Sequence, residues 1–299
     1  MALSVHDDIT LRKITLKKQW DNSINNEHIN KARGFYYYHR DLKAIKGSKT
    51  VFSSIFLHLV NDESRNHDFK MWNETWNKLP KKHVFDDYGI LFSNDTPGES
   101  LKEVFFEKIY TKFPGFAPKP EDVVFDVGSQ YGDYALLCAK RYKSLKVVCF
   151  EPYSKNFDIM KENLRLNSCM NVSINNCAVG KQEGVYNINI SGNMATKDGV
   201  GIYENVNVVK LDSFLNEKVS LLKIDTEGFE LDVLEGARET LKTLKPRIIL
   251  ETHSIELKRK CLDFLFQYGY KLASEGRTVK SEQNGMDYIQ NLYLSPPDS

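Results

Sequence analysis

From residue 122 onward, hydrophobic and polar positions alternate in two rhythms. Short runs rich in β-branched and aromatic residues are separated by longer stretches with apolar residues at helical spacing, which predicts a parallel sheet covered by helices. The predicted strands are VVFDV (123–127), KVVCFE (146–151), NVSINNC (171–177), LLKID (221–225), RIILET (247–252), YGYKL (268–272) and YIQNLYL (288–294). The predicted helices are YALLCAKRY (134–142), NFDIMKENLRLN (156–167), FELDVLEGARETLKTL (229–244) and SIELKRKCLDFLFQ (254–267).

The third predicted helix has a clear apolar stripe, which predicts one continuous amphipathic helix. The residues of this stripe are Leu231, Leu234, Ala237, Leu241 and Leu244. The residues expected to face away from it are Glu230, Asp232, Glu235 and Lys242.

Two segments depart from the simple alternation. The link between the last two strands, residues 273–287, is too polar and irregular for a crossover helix, so these strands are expected to pair antiparallel at one edge of the sheet. Residues 184–210 form two extended segments around a glycine-rich loop, where a simple dinucleotide fold would have one helix.

Residues 1–98 lack the strand and helix rhythm and contain all three tryptophans. We predict a mostly helical N-terminal extension at 1–98, followed by the α/β domain at 99–299. The aromatic run GFYYYHR (34–40) is expected to be core rather than a stacking surface, and the apolar stretch at 51–60 a core helix, because it is too short to span a bilayer.

Composition and charge bear on the partners and the location of the protein rather than on its reaction. The formal net charge of the 299 residues is +1, so no overall field attracts nucleic acid or anionic lipid. Five cysteines without CxxC spacing indicate neither a disulfide framework nor a zinc site. With no signal peptide evident, we expect a soluble cytoplasmic protein of unknown oligomeric state.

A glycine-containing turn follows the first core strand. Asp126, Gly128 and Gly132 form D-x-G-x-x-x-G between a strand and a helix, which is typical of a nucleotide-cofactor cradle rather than of the G-x-G-x-x-G turn of NAD enzymes. We expect the missing Cβ atoms to let a ligand approach the backbone. The loop suits an amino acid headgroup: backbone amides would bind its carboxylate, and Asp126 or a carbonyl group would bind its ammonium. The plainer alternative is an ordinary turn.

Two further groups of polar residues lie at predicted strand ends. Glu151 comes 23 positions after Gly128, near the spacing of about 20 at which an acid binds ribose hydroxyls; otherwise it is a solvated strand end. The stretch LLKIDTEGFELDVLEGA (221–237) brings Asp225 and Glu227 to the same edge, and His253 follows a later strand.

Together these motifs resemble the FkbM family of S-adenosylmethionine-dependent methyltransferases. The resemblance covers about residues 122–253 and rests on FDVGSQYG, FEPYSKNFDIMKENLRLNSCMNV, NCAVG, VVKLDSF, LLKIDTEGFELDVLEGA and ILETH. It implies a Rossmann-like seven-strand class I methyltransferase fold, with a mostly parallel sheet and an antiparallel last strand. It further implies O-methylation of sugars or other hydroxylated small molecules.

The resemblance also implies cofactor contacts at the turn, at Glu151 and near adenine. Asp126, Gly128, Gly132 and Glu151 would bind S-adenosylmethionine, and Asn176, Cys177 and Ala178 would lie beside adenine, with Asp225 close by. Ser129 and Gln130 stand where the family usually has Ala and Asn, so contacts of this loop are expected to differ.

Methyl transfer requires alignment of donor and acceptor and a group that takes the acceptor's proton. The candidate bases are Asp225, Glu227 and His253. Each has a plainer interpretation: a helix cap for Asp225, a favourable charge at a helix start for Glu227, and a packing residue for His253. No metal is required, and we predict none, although two acids and a histidine would suit a divalent ion.

The sequence therefore favours an S-adenosylmethionine-dependent O-methyltransferase acting on a sugar, a glycan or another hydroxylated small molecule. An RNA-directed methyltransferase and a non-catalytic scaffold that retains the fold are the alternatives. Nucleic acid is not expected as a partner, because the charge is nearly balanced.

Overall fold

The computed structural model describes residues 83–85, 90–93, 95–97, 101–191, 194–196, 202–279 and 289–297. Most of the predicted extension, with its tryptophans, the aromatic run at 34–40 and the apolar stretch at 51–60, lies outside the described residues. Its helical character and the boundary at 98 therefore stay predictions. The described part of this segment contains two short antiparallel strands, β1 (His83–Phe85) and β2 (Ile90–Phe92).

The α/β fold is confirmed by a seven-stranded sheet with the order β12-β13-β11-β10-β3-β4-β5. Its strands are β3 (Val123–Val127), β4 (Lys146–Phe150), β5 (Val172–Asn175), β10 (Leu221–Ile224), β11 (Arg247–Thr252), β12 (Lys271–Val279) and β13 (Ile289–Ser295). The first five of these pair in parallel, and β13 pairs antiparallel with both β11 and β12. All seven predicted strands are present, and the sheet is the mostly parallel, Rossmann-like one expected.

Helices cover this sheet through buried faces that include polar side chains as well as apolar ones. They are α1 (Asp133–Arg141), α2 (Ser154–Asn167), α3 (Glu230–Glu235) and α4 (Ile255–Gln267). The hydroxyl of Ser254 caps α4 by accepting a hydrogen bond from the Leu257 amide. Alternating positions of β3, β10 and β11 pack under these helices, with Phe125, Leu222 and Ile248 at most 1% exposed.

The third predicted helix is broken, so the prediction of a continuous helix over 229–244 is wrong. Helix α3 ends at Glu235, and a separate helical segment runs over Thr240–Leu244. A Cβ atom on Gly236 would lie 2.1 Å from the carbonyl oxygen of Gly180, so the chain needs glycine here to pass the neighbouring loop. The carboxylate of Asp212 then accepts the amide hydrogen bonds of Glu239 and Thr240, which starts the second segment.

The orientation predicted for Glu230 is also wrong. Its side chain is fully buried instead of facing away from the apolar stripe, whereas Leu234, Ala237 and Leu241 of that stripe are in the core as expected. A buried carboxylate requires hydrogen-bond partners, and those of Glu230 lie at the candidate site described below.

The insertion after β5 forms a second, four-stranded sheet with the order β6-β9-β7-β8. Its strands are β6 (Ala178–Val179), β7 (Gly184–Ser191), β8 (Met194–Thr196) and β9 (Ile202–Val209). The two extended segments predicted for 184–210 are β7 and β9, which pair antiparallel over seven residue pairs. This sheet lines the cavity described below.

Two buried asparagines of α2 connect β2 to the glycine turn. The Oδ1 atom of Asn163 accepts a hydrogen bond from the Ser93 amide at 2.8 Å, while its Nδ2 donates to the carbonyl of Tyr131 at 2.9 Å. Asn167 bonds both backbone groups of Leu91. Among the described residues, no helix is long and apolar enough to cross a membrane.

Candidate active site

The glycine turn leaves β3 at Val127 and enters α1 at Asp133. Gly128, Gln130 and Gly132 all have positive φ, at 80°, 44° and 75°. The Gly128 amide donates to the carbonyl of Phe150 at 3.0 Å, so the turn is fastened to the end of β4. This arrangement brings the turn and the end of β4 to one edge of the sheet, where ligands bind in open α/β folds.

The two glycines are required by contacts within the protein. A Cβ atom on Gly128 would lie 1.8 Å from the carbonyl oxygen of Asp225, and one on Gly132 would lie 2.8 Å from Cγ of Met160. The expectation that the missing Cβ atoms make room for a ligand is therefore replaced: protein atoms occupy that space. Gly128 lets the end of β10 approach the turn.

Glu151 lies at the end of β4 with both carboxylate oxygens directed at backbone amides. Its Oε2 accepts from Gln130 N at 2.9 Å and its Oε1 from Tyr153 N at 3.0 Å. The residue is 3% exposed, so the alternative of a solvated strand end is wrong. Burial raises the pKa of Glu151 to about 7, although these amides lower it.

Asp126 and Ser129 lie behind the turn rather than on the cavity. The carboxylate of Asp126 is fully buried and pairs with Lys223, whose Nζ is 3.2 Å from Oδ1. Burial raises the pKa of Asp126 to about 6 against the lowering effect of Lys223. Ser129 Oγ donates to the Asp126 carbonyl at 2.6 Å and accepts from the Phe150 amide, so it joins two strands. Both side chains support the turn.

A cavity of about 730 Å³ opens beside the turn. That volume is within the range of roughly 300–1,000 Å³ found for small-molecule pockets. The predicted site residues on its wall are Gly128, Gln130, Glu151, Cys177, Ala178, Asp225 and Glu227. The inserted sheet closes another side with Tyr186, Asn187, Ile188, Asn189, Ala195, Tyr203 and Val208. Sequence reasoning did not anticipate this second wall.

Asn176 has a supporting position next to the cavity wall. Its Nδ2 donates to the carbonyl of Glu151 at 2.9 Å and to that of Pro152 at 3.2 Å. The end of β4 is thereby tied to the segment that carries Cys177 and Ala178. We expect this bond to hold the backbone of Glu151 in place.

The three predicted catalytic residues come together at the carboxyl edge. His253 is 4% exposed, and its Nε2 is 3.3 Å from Glu227 Oε2 and 3.8 Å from Asp225 Oδ1. Asp225 does not cap α3, because the residue before that helix is Phe229. Glu227 has a positive φ of 51°, a strained conformation for a non-glycine residue that recurs at functional sites.

Glu230 orients His253 by contacting its Nδ1 atom. Its Oε1 is 3.0 Å from His253 Nδ1 and accepts hydrogen bonds from the amides of Thr226 and Gly228 at 3.1 and 3.0 Å. One buried carboxylate therefore fixes both the imidazole and the turn that carries Glu227.

Three more side chains of this cluster escaped sequence reasoning. Tyr110 donates its hydroxyl to Asp225 Oδ2 at 2.8 Å, and Lys223 Nζ lies 3.6 Å from the same oxygen. Glu251 Oε1 lies 3.8 Å from His253 Nε2. A signal existed for Glu251, because it precedes His253 by two residues and strand side chains two apart share a face.

The charges of the cluster perturb one another. Burial lowers the pKa of His253, but Glu230, Glu227 and Asp225 outweigh that effect and raise it. Burial raises the pKa of Glu227 to about 7, close to the value at which a general base works at neutral pH. Burial and then Asp225 raise the pKa of Glu251. The imidazole of His253 and the surrounding carboxylates therefore stabilise each other's charged forms.

Comparisons with known proteins place this chain among methyltransferases. A family model described as Methyltransferase FkbM domain matches residues 126–272. Methyltransferase 1 of Beauveria bassiana is 26% identical over an alignment of 209 residues that covers 58% of this chain and 81% of that protein. For the 31-O-demethyl-FK506 methyltransferase FkbM of Streptomyces tacrolimicus, the identity is 23% over 222 residues, covering 61% and 82%. For the hexuronic acid methyltransferase AglP of Haloferax volcanii, it is 28% over 149 residues, covering 45% and 57%.

The fold and the matches define the class of this protein, which is an S-adenosylmethionine-dependent methyltransferase. Within that class, its matched domain, residues 126–272, belongs to the FkbM methyltransferase family. The resemblance found in the motifs is confirmed.

Proposed function

We propose that this protein transfers a methyl group from S-adenosylmethionine to a hydroxyl of a sugar, a glycan or another hydroxylated small molecule. The observation that carries the proposal is one cavity lined by acids from two different strand ends. Glu151 lies at the end of β4, and Glu227, in contact with His253, lies beyond β10. The first suits a ribose and the second suits an acceptor hydroxyl.

The cofactor end of the cavity fits S-adenosylmethionine. Each oxygen of Glu151 accepts one backbone amide, and the Asn156 side chain donates to the same carboxylate. A carboxylate has about four acceptor positions, so one remains for a ribose hydroxyl. Cys177, Ala178 and Val179 give a mostly apolar wall for adenine. Gln130 and the backbone of Gly128 remain for the methionine part. S-adenosylmethionine supplies an electrophilic methyl group on its sulfonium when bound.

At the other end, Glu227 is the group that we assign to the acceptor's proton. It lines the cavity, whereas His253 lies behind it at 4% exposure. As the acceptor oxygen forms its bond to the methyl carbon and the carbon–sulfur bond breaks, the hydroxyl proton passes to a Glu227 oxygen. His253 and Glu230 position that carboxylate and do not touch the acceptor.

The inserted sheet favours a hydroxylated acceptor. Tyr186 and Tyr203 offer aromatic faces with polar tips, and Asn187 and Asn189 offer amides along the same wall. Relatives named for hexuronic acid and for 31-O-demethyl-FK506 are consistent with this chemistry.

The test is transfer of a labelled methyl group from S-adenosylmethionine by the full chain to a panel of acceptors. Hexoses, hexuronic acids, hydroxylated macrolides and a mixed RNA would be compared. We expect a base-stable methyl ether on a hydroxylated small molecule or glycan. A base-labile ester on the uronic acids, or label only in RNA, would contradict the proposal.

Replacement of Glu151 by alanine should weaken binding of S-adenosylhomocysteine by about 10- to 100-fold, because hydrogen bonds to a charged acceptor contribute about 1.5–3 kcal/mol each. Calorimetric titration of Glu151→Ala would measure this, with NAD as a ligand that should not bind. Glu162→Ala is the control, because Glu162 lies on the surface beside Arg165. Equal affinities for the wild type and Glu151→Ala would contradict the assignment.

The affinity should also depend on pH through Glu151. Its pKa of about 7 means that it gains a proton as the pH falls through neutrality, and a protonated acid is the weaker acceptor. We expect S-adenosylhomocysteine binding to weaken by about tenfold from about pH 8 to about pH 6. The Glu151→Ala variant should lose this dependence. A wild-type affinity that does not change over this range would exclude the ionised carboxylate as the ribose acceptor.

A further inference from the structure

One side of the acid cluster has the composition of a metal site. Asp225, Glu251 and His253 each offer one ligand atom, and these atoms all lie within 4.8 Å of one another. A Mg²⁺ or Mn²⁺ ion with ligands at about 2.1 Å needs ligand atoms about 3 to 4 Å apart. Small rotations of these side chains toward a shared centre would meet that requirement.

Glu251 is the observation that points to a ligand. The residue is 7% exposed, and its Oε2 is buried without a hydrogen-bond partner in the part of the chain that is described. A buried carboxylate in this state is costly unless a positive charge or a donor satisfies it. The methyl-transfer step assigned to Glu227 makes no use of Glu251, so another partner is needed.

His253 is prepared as a ligand by its other nitrogen. Metal-binding histidines usually give their second ring N–H to a carboxylate or a carbonyl, which fixes the tautomer and aims the free nitrogen. Glu230 Oε1 lies 3.0 Å from Nδ1 and is itself held by two backbone amides. The Nε2 atom is thereby directed at Asp225, Glu227 and Glu251.

Asp225 has one oxygen committed and the other facing the histidine. Tyr110 and Lys223 contact Oδ2, whereas Oδ1 lies 3.8 Å from His253 Nε2. Because Asp225 also lines the cavity, an ion bound to Oδ1 would lie next to the acceptor end.

We propose that Asp225, Glu251 and His253 bind a divalent cation of the Mg²⁺ or Mn²⁺ type. The two carboxylates suit these oxygen-preferring ions, and the imidazole favours Mn²⁺ over Mg²⁺. Three protein ligands leave about three octahedral positions for water or acceptor oxygens. An ion held there would polarise the acceptor hydroxyl, and Glu227 would receive the proton. The ion would replace the proton on His253 Nε2, so Glu227 would then be positioned through the turn that Glu230 holds. This catalytic role rests on the proposed methyl transfer to a hydroxyl, whereas cation binding does not.

The test is titration of the full chain with Mn²⁺ alone, followed by electron paramagnetic resonance of the free ion. We expect one bound ion per wild-type chain and at least a tenfold loss of affinity in Glu251→Gln. Glu230→Gln, which loosens both His253 and the turn at Thr226 and Gly228, should weaken binding by about 10- to 100-fold. Glu162→Gln serves as the matched control, because it removes an exposed carboxylate.

Each variant is also titrated with S-adenosylhomocysteine, which reports whether its cofactor site is folded. Absence of Mn²⁺ binding in a wild-type chain that binds S-adenosylhomocysteine would overturn the metal site and leave the proposed function intact. Equal Mn²⁺ affinity of the wild type and Glu251→Gln would overturn it as well. Mn²⁺ binding without methylation of any hydroxylated acceptor would support the site and contradict the acceptor class instead.

Discussion

Replacement of Glu227 by glutamine should reduce the rate of methyl transfer by about 10²- to 10⁴-fold, the usual contribution of a positioned general base. Glutamine keeps the size of the side chain and can still approach His253, but it cannot accept the acceptor's proton. Initial rates under saturating S-adenosylmethionine and acceptor would measure kcat. The loss should fall on kcat more than on KM, because proton transfer takes place in the transition state.

Binding of S-adenosylhomocysteine separates this effect from a general disturbance of the site. Glu227 and Glu151 follow β10 and β4, which β3 separates in the sheet, so Glu227→Gln should bind the product cofactor as tightly as the wild type. Glu162→Gln should retain the wild-type rate, since its carboxylate is on the surface. A loss of less than about tenfold in Glu227→Gln would show that the proton goes elsewhere.

The central strands were predictable from sequence because they are buried on both faces and appear as nearly continuous apolar runs. The rule that ligands bind at the carboxyl ends of parallel strands also placed Asp225, Glu227 and His253 at the same edge of the sheet. The distances of 3.3 and 3.8 Å from His253 Nε2 agree with that prediction. The roles of these residues remain proposals.

The parts that were missed have a common physical cause. Hydrophobic periodicity assigns charged residues to the solvent face, so it placed Glu230 outside. The one signal for Glu251, its spacing of two residues from His253, was not used. Buried acids are stabilised by specific partners, and those partners come from β11 and from the turn before α3. Local sequence does not contain such distant contacts. Gly128 shows the same limit, because the atom that excludes a side chain there belongs to Asp225.

One buried cation joins the cofactor turn to the acid cluster. Lys223 is 4% exposed, and its Nζ donates to the Gly128 carbonyl at 2.8 Å. The same atom lies 3.2 Å from Asp126 and 3.6 Å from Asp225. Burial lowers the pKa of Lys223, but Asp126 and Asp225 raise it by more than burial lowers it. The pKa is therefore above its usual value and the ammonium stays charged. The sequence shows that Lys223 lies within a predicted buried strand, but it does not show which three groups the ammonium contacts.

Replacement of Lys223 by methionine should destabilise the fold by about 3–5 kcal/mol, because it leaves the buried carboxylate of Asp126 without its counter-charge. Urea unfolding would measure the change. Lys146→Met is the matched control, since the pair of Lys146 with Glu217 is half-exposed and pairs of that kind contribute about 0–1 kcal/mol. The double variant Asp126→Asn with Lys223→Met should recover part of the loss, as both charges are then absent.

Equal stability of Lys223→Met and Lys146→Met would mean that the glycine turn is held by its backbone hydrogen bonds alone. A large loss with partial recovery would instead show that the cofactor turn and the acid cluster share one electrostatic support.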